Sequence, residues 1–267
     1  MPILRYNGIP TRLIIPSLGR FGIYLLRSRL LRQPVSLLPT LPDGLRLHVG
    51  AGQNILDGYE NLDGYDNRQR PEFFQTQVKK FVRAEVLDTL YQPESVAEIR
   101  CHHMFEHISM LDVDRTLQGW NRILKPGGLV WIEVPDFEGC ARQILKLRRE
   151  KDKEIFYRHI LGSQVGPGEF HSNAFTAKRL IKLLENYGFK VKLAYVIWTR
   201  RVPRKPDMCY PSDVPLPDLT VKAIKIGSPK PEMINAEWTH IAYRKQHPNP
   251  ELEHLPSNIG GSSGCGH

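Results

Sequence analysis

Residues 45–63 read LRLHVGAGQNILDGYENLD, and this stretch decides the fold. Leu45, Leu47 and Val49 alternate as the inward residues of a strand do, and the chain then meets Gly50-Ala51-Gly52. A strand that runs into Gly-x-Gly builds a tight turn. Its bare backbone lets a nucleoside-bearing ligand sit against the strand end. Asp63 follows eleven residues after Gly52, and a carboxylate at the end of a second strand can grip two ribose hydroxyls. The third glycine of the dinucleotide fingerprint is absent, since Asn54 and Ile55 follow Gln53. The interval from Gly52 to Asp63 is also shorter than the roughly twenty residues of a full strand-helix-strand unit. The first helix must therefore shrink to a turn. Asp57 lies in the same interval, but Asp63 is preferred because it follows the strand-like residues 59–62.

Working outward, residues 82–87 read as a third strand followed by Asp88, and residues 96–101 as a fourth that ends in His102-His103. A helix is expected over 111–124, with Ser109 and Asp112 spaced as a capping box and Leu117, Trp120, Ile123 and Leu124 as its apolar stripe. Lys125-Pro126-Gly127-Gly128 stops it. LVWIEV, residues 129–134, is the strongest strand signal in the chain. A charged helical stretch follows over 138–159, then a glycine-rich loop, an amphipathic helix over 176–187, and a strand over 189–198. Residues 199–235 hold many prolines and read as an irregular insertion at the carboxyl edge of the sheet, a candidate lid. Residues 238–243 read as a last, antiparallel strand. The expected fold is α/β: a doubly wound, mostly parallel seven-stranded sheet with an antiparallel last strand, in a three-layer sandwich. The domain spans 43–245, preceded by a basic arm at 1–42 and followed by a disordered tail at 246–267.

The formal net charge of +9 suggests an anionic partner. It is unevenly placed. Residues 1–42 carry Arg5, Arg12, Arg20, Arg27, Arg29 and Arg32 and no acidic residue. This arm can lie on an anionic membrane surface, target an organelle, or pack on the domain. Cys101, Cys140, Cys209 and Cys265 form no Cys-x-x-Cys pair, which argues against a disulfide scaffold and fits a reducing compartment such as the cytoplasm. No apolar run reaches membrane-spanning length.

Together these landmarks resemble the class I S-adenosylmethionine-dependent methyltransferases over residues 45–245. VGAG at 49–52 looks like their first glycine motif. The most specific part is CHHMFEHI at 101–108, then a helix, then LKPGGLVWIEVPD at 124–136, which is similar to the small-molecule branch. HSNAFTAKRLIKLLENYGFKV at 171–191 and AEWTHIAYRK at 236–245 also fit that branch. The resemblance implies that S-adenosylmethionine is bound by Gly50, Ala51, Gly52, Asp63, Leu87, Asp88 and His102, with Asp63 on the ribose and Leu87-Asp88 about the adenine. It implies a small-molecule or glycan acceptor, first a sugar or surface-glycan hydroxyl, as in polysaccharide biosynthesis.

Methyl transfer from a sulfonium chiefly needs alignment of the nucleophile. A hydroxyl acceptor also gains from a base with a pKa near neutrality, a role that suits histidine. The candidates are His171, in a glycine-flanked loop, and His102 and His103 at the fourth strand's exit. Glu106 and His107 read as scaffold. His103 to His107 also match the H-x-x-E-H pattern of inverted zinc proteases, but that pattern needs a helix and here follows a strand, so no metal is expected. Nucleic acid is not an expected partner: no Asn/Asp-Pro-Pro-Tyr/Phe sequence follows the fourth strand. The competing readings are a non-catalytic binding module on the same fold and a NAD-dependent protein, the latter weakened by the missing glycine.

Overall fold

The computed structural model describes residues 40–52, 54–64, 88–164, 169–201 and 212–230, together with the backbone of short strands at 4–6, 9–14, 23–24 and 80–81. The strands in chain order are β1 (Leu4–Tyr6), β2 (Ile9–Ile14), β3 (Ile23–Tyr24), β4 (Leu45–Val49), β5 (Glu60–Asp63), β6 (Lys80–Phe81), β7 (Val96–His102), β8 (Leu124–Pro135), β9 (Phe189–Arg201) and β10 (Ser212–Lys225). The helices are α1 (Val113–Ile123), α2 (Phe137–Lys146), α3 (Glu150–Leu161) and α4 (Ala177–Asn186). The strands form one sheet in the order β1-β2-β9-β10-β8-β7-β4-β5-β6, with β3 on β2. Strands β6, β5, β4, β7 and β8 run parallel, and β10 runs antiparallel to both β8 and β9. This is the expected seven-stranded arrangement, extended at the β9 edge by three strands from the arm. Part of the arm thus joins the sheet through backbone pairing.

Alternation sorts the side chains between the two faces of the sheet. Leu47, Val49, Ile99, Cys101, Val130, Ile132, Val134, Leu219, Val221 and Ala223 turn to one face and form the main core. Helices α1 and α4 lie on that face because their apolar residues recur at helical spacing: Val113, Leu117, Trp120 and Ile123 on one, Leu180 and Leu184 on the other. Trp120 and Phe105 stack with ring centroids 5.5 Å apart. The opposite face carries polar groups, among them His48, Arg100, His102, Trp131 and Lys222. There the Arg100 guanidinium lies 3.7 Å and the Lys222 ammonium 3.3 Å from the Trp131 ring centroid. Residues 51–59 hold turns and no helix among the described residues, as the short Gly52–Asp63 interval requires.

Several boundaries differ from expectation. Helix α1 starts at Val113, and the side chain of Asp112 at its N-cap makes no capping hydrogen bond, while Ser109 Oγ accepts from the Leu111 amide at 3.2 Å. Lys125 to Gly128 loop out within the β7–β8 ladder, where the pairing steps from Val96–Leu124 to Glu98–Leu129. The charged stretch divides into α2 and α3, which pack around Cys140, Phe156 and Leu216. The main correction concerns 199–235. Ser212–Lys225 is a central strand, not part of a lid, and supplies the antiparallel member. Its prolines are tolerated because a register irregularity separates Ser212 from Leu216, and because β8 pairing begins only at Asp218–Pro135, one residue past Pro217. Residues 238–243, the tail from 246, and Leu87 lie outside the described residues.

Candidate functional site

Strands β4, β5 and β7 end at the same edge of the sheet, and each delivers a predicted site residue there. Gly50 has φ +71° and Gly52 φ +49°, values that L side chains rarely adopt. A Cβ on Gly50 would fall 2.3 Å from Met104 Cγ, so the chain leaving β7 packs directly on the turn. The Ala51 amide donates to the Leu62 carbonyl at 2.9 Å. The Gly52 amide donates to Asp63 Oδ2 at 2.8 Å, with Asp63 buried. Gly50, Ala51, Gly52 and Asp63 are therefore brought together. Asp88 is not held with them. Its carbonyl accepts from the Arg122 guanidinium, and its side chain lies 3.1 Å from a Cβ built on Gly119, along α1. Since Leu124, just past α1, pairs with Val96 at the start of β7, this end of α1 lies toward the opposite edge of the sheet.

The β7 exit places His102 and His103 differently. Arg100 Nε donates to His102 Nε2 at 2.9 Å, and the His102 ring stands 5.3 Å from Trp131 and 5.9 Å from His48 by centroid. Burial lowers His102 to about 4, against the pull of Glu133. His103 takes the left-handed conformation, φ +48°, and its amide donates to the Glu133 carbonyl at 2.8 Å. That turn aims its buried ring among three carboxylates. Nδ1 stands 3.4 Å from Glu106 Oε1, while Nε2 stands 3.5 Å from Glu133 Oε1 and 3.6 Å from Asp218 Oδ1. Burial opposes ionisation of Glu133, but His103 prevails and holds it below its ordinary value. Asp218 also meets His159 Nε2 at 3.0 Å, and Thr220 Oγ1 donates to Glu133 Oε2 at 3.0 Å.

Glu133, His159 and Asp218 were missed in the sequence. Glu133 occupies a polar alternate position in the best strand, and His159 follows the apolar Phe156 by three residues in α3. Those two signals were legible in principle. Asp218 lies in the strand that its prolines disguised.

His171 arrives from the loop after α3. Its amide donates to the Leu161 carbonyl at 3.1 Å, and Nδ1 lies 3.1 Å from the Ile160 carbonyl. Because a carbonyl only accepts, Nδ1 carries the proton. Nε2 then faces Glu106 Oε1 at 3.9 Å. Burial lowers His171 to about 3, only partly offset by Glu106. Burial thus weakens the basicity on which the expected general-base role of His171 depends. His107 stacks edge-on to it with centroids 4.6 Å apart, and its Nδ1 lies 3.1 Å from the Phe170 carbonyl. Glu106, in the one-turn 3₁₀ helix Phe105–His107, is buried. Burial would raise its carboxyl, but the facing histidines His103, His171 and His107 hold it at about 2.

Residues 50–193 match a protein family described as a methyltransferase domain. The chain belongs to that family. It is a class I methyltransferase, and its methyl donor is S-adenosylmethionine. The site fits that donor at one end: a glycine turn and a buried carboxylate meet where a ribose would need an acceptor. Among solved structures it is similar to a SAM-dependent methyltransferase from Thermotoga maritima, 20% identical over 70% of this chain and 84% of that one, TM-score 0.44. It is similar also to one from Methanosarcina mazei, 17% identical over 69% and 93%, TM-score 0.46. A third, from Archaeoglobus fulgidus, is 13% identical over 68% and 87%, TM-score 0.44. None of these likenesses bears on the acceptor. No curated protein matches the chain. Among the described residues no helix is long and apolar enough to cross a membrane.

Proposed function

We propose that this methyltransferase methylates a hydroxyl of a small molecule or glycan, with His103 as the base that takes the hydroxyl proton. The observation that carries the reading is the His103 ring at the β7 exit, faced by Glu106, Glu133 and Asp218. S-adenosylmethionine supplies a methyl group already activated by its sulfonium. What remains for the chain is to align the acceptor and remove its proton. An imidazole that gains a proton among three carboxylates is stabilised as it does so, because opposite charges nearby favour the charged form. Gly50, Ala51, Gly52 and Asp63 hold the donor in this reading, and His102, already bonded to Arg100, frames the site from the sheet face.

A glycan hydroxyl is the first acceptor class, which would set the enzyme in polysaccharide biosynthesis in the cytoplasm. The arginine-rich arm would then favour an anionic membrane surface, a contact that vesicle co-sedimentation at low and high salt would check. The direct test uses donor with a labelled methyl group and a panel of sugar, polyol and amine acceptors. Label should appear as a stable ether. His103→Asn should cut turnover by roughly 10²–10⁴-fold while donor affinity stays unchanged. Label transferred to nitrogen would refute the hydroxyl reading, and normal turnover in the variant would refute the base.

A further inference from the structure

We propose that Glu106, His107 and His171 form a binding site for one divalent transition-metal ion, with zinc as the reference ion. One ligand atom from each residue lies within 4.8 Å of the others, and His171 Nε2 stands 3.9 Å from Glu106 Oε1. Ligands around a tetrahedral zinc ion sit roughly 3.3–3.5 Å apart, given bonds of about 2.0–2.1 Å. Small side-chain adjustments therefore close the set. Two imidazoles and one carboxylate are a donor set that zinc accepts with a fourth position left open.

The second observation is the state of Glu106. Its side chain is almost fully enclosed, 2% exposed, yet neither carboxylate oxygen accepts a hydrogen bond. Enclosure makes the ionised carboxylate costly, and the charge is sustained by the histidines that face it. A dication at the point where His107 and His171 converge would offset that cost. The groups facing Glu106 from neighbouring elements are His103 at 3.4 Å and His171 at 3.9 Å. His103 is thus the competing partner of that carboxylate.

The imidazoles are also set up as ligands. In each, Nδ1 donates to a backbone carbonyl, Phe170 for His107 and Ile160 for His171, which leaves Nε2 with its lone pair. Metal-bound histidines use their second nitrogen in this way, and it fixes both the tautomer and the ring plane. The burial that keeps His171 neutral keeps that lone pair available. The backbone holds the three residues in place. The Glu106 carbonyl accepts from the Ser172 and Asn173 amides at 3.0 and 2.9 Å, tying the 3₁₀ turn to the His171 loop. Entry is provided by a recess lined by Glu106, His171, Asn173 and Phe175. The fourth coordination position would belong to that recess, where a water or an acceptor oxygen could bind.

The test needs neither methyl donor nor acceptor, so it stands or fails separately from the proposed base and substrate. The full chain is stripped with a chelator, dialysed, and titrated with Co²⁺ and then Zn²⁺. A visible absorption band of tetrahedral cobalt should grow to one ion per chain, and zinc should displace it. Zinc should also raise the thermal midpoint. His107→Ala, His171→Ala and Glu106→Gln should each weaken binding by about tenfold or more, with folding checked by circular dichroism. His48→Gln, on the opposite sheet face, should bind as the wild type does. A stripped wild type with neither cobalt band nor zinc-dependent shift would overturn the site without recourse to any variant. So would one-to-one binding that persists in the His107→Ala, His171→Ala double variant.

Discussion

Gly50 shows how much one residue can fix. Its φ of +71° and the Met104 side chain, 2.3 Å from where a Cβ would lie, forbid any larger residue on two independent grounds. Gly50→Ala should cost about 1–2 kcal/mol for the left-handed backbone, and about 1–3 more for overpacking against Met104. A loss of unfolding free energy in urea smaller than the first amount alone would show that the turn relaxes freely. Asp63 tests the proposed seat of the donor. Its carboxylate accepts from the Gly52 amide at 2.8 Å. Asp63→Ala should weaken S-adenosylmethionine binding by about 1.5–3 kcal/mol in calorimetric titration, the range for hydrogen bonds to a charged group. Equal affinity in wild type and variant would remove the ribose assignment. The histidines at the other end teach a different lesson. His102, His103 and His171 could all be picked from the sequence, but only the folded chain separates their surroundings. One is bonded to Arg100, one faces three acids, and one is enclosed with Glu106.

The elements read from the sequence were those whose side-chain period is clean. Strands β4, β7 and β8 turn apolar residues to the core at alternate positions, and helices α1 and α4 do so at helical spacing, so one period or the other identifies them. Strand β10 has the same alternation, with Leu219, Val221 and Ala223 inward and Asp218, Thr220 and Lys222 on the other face, but Pro215 and Pro217 masked it. The sequence does not say that β8 has ended where those prolines fall. For the same reason Asp218 could not be assigned to the site: its place beside His103 and His159 depends on strand register and on how α3 packs, neither of which is local. A measurement separates the strand from the expected lid. Residues 218–224 pair with β8 on one side and β9 on the other, so their amides should be among the slowest to exchange with deuterated water. Exchange as fast as that of an open loop would restore the insertion over 199–235.

At the scale of the whole molecule, buried histidines tie stability to pH. Burial lowers His48 and His102 to about 4 and His171 to about 3, below the ordinary value of 6.5. In the unfolded chain each takes up a proton near pH 6.5, whereas in the folded chain each resists until pH 4 or 3. The unfolded state therefore binds more protons across that interval, and stability must fall as the pH falls through it. The contribution is complete above pH 6.5 and is lost progressively toward pH 4 and then 3. With three such groups the steepest slope is ~4 kcal/mol per pH unit, at ~1.4 for each proton. His48 is the cleanest of the three to remove. Its Nδ1 stands 3.1 Å from Asn61 Oδ1, and its Nε2 is buried without a partner, so a second proton there would have no acceptor. His48→Gln keeps a donor for Asn61 and deletes the titration. Urea unfolding from pH 7.5 to 4 should show the variant's stability falling less steeply, by about one proton's worth of slope between pH 6.5 and 4. A variant whose slope matches the wild type would mean that His48 takes up its proton in the folded chain as readily as in the unfolded one, and that its enclosure on the polar face of the sheet is not what sets its charge.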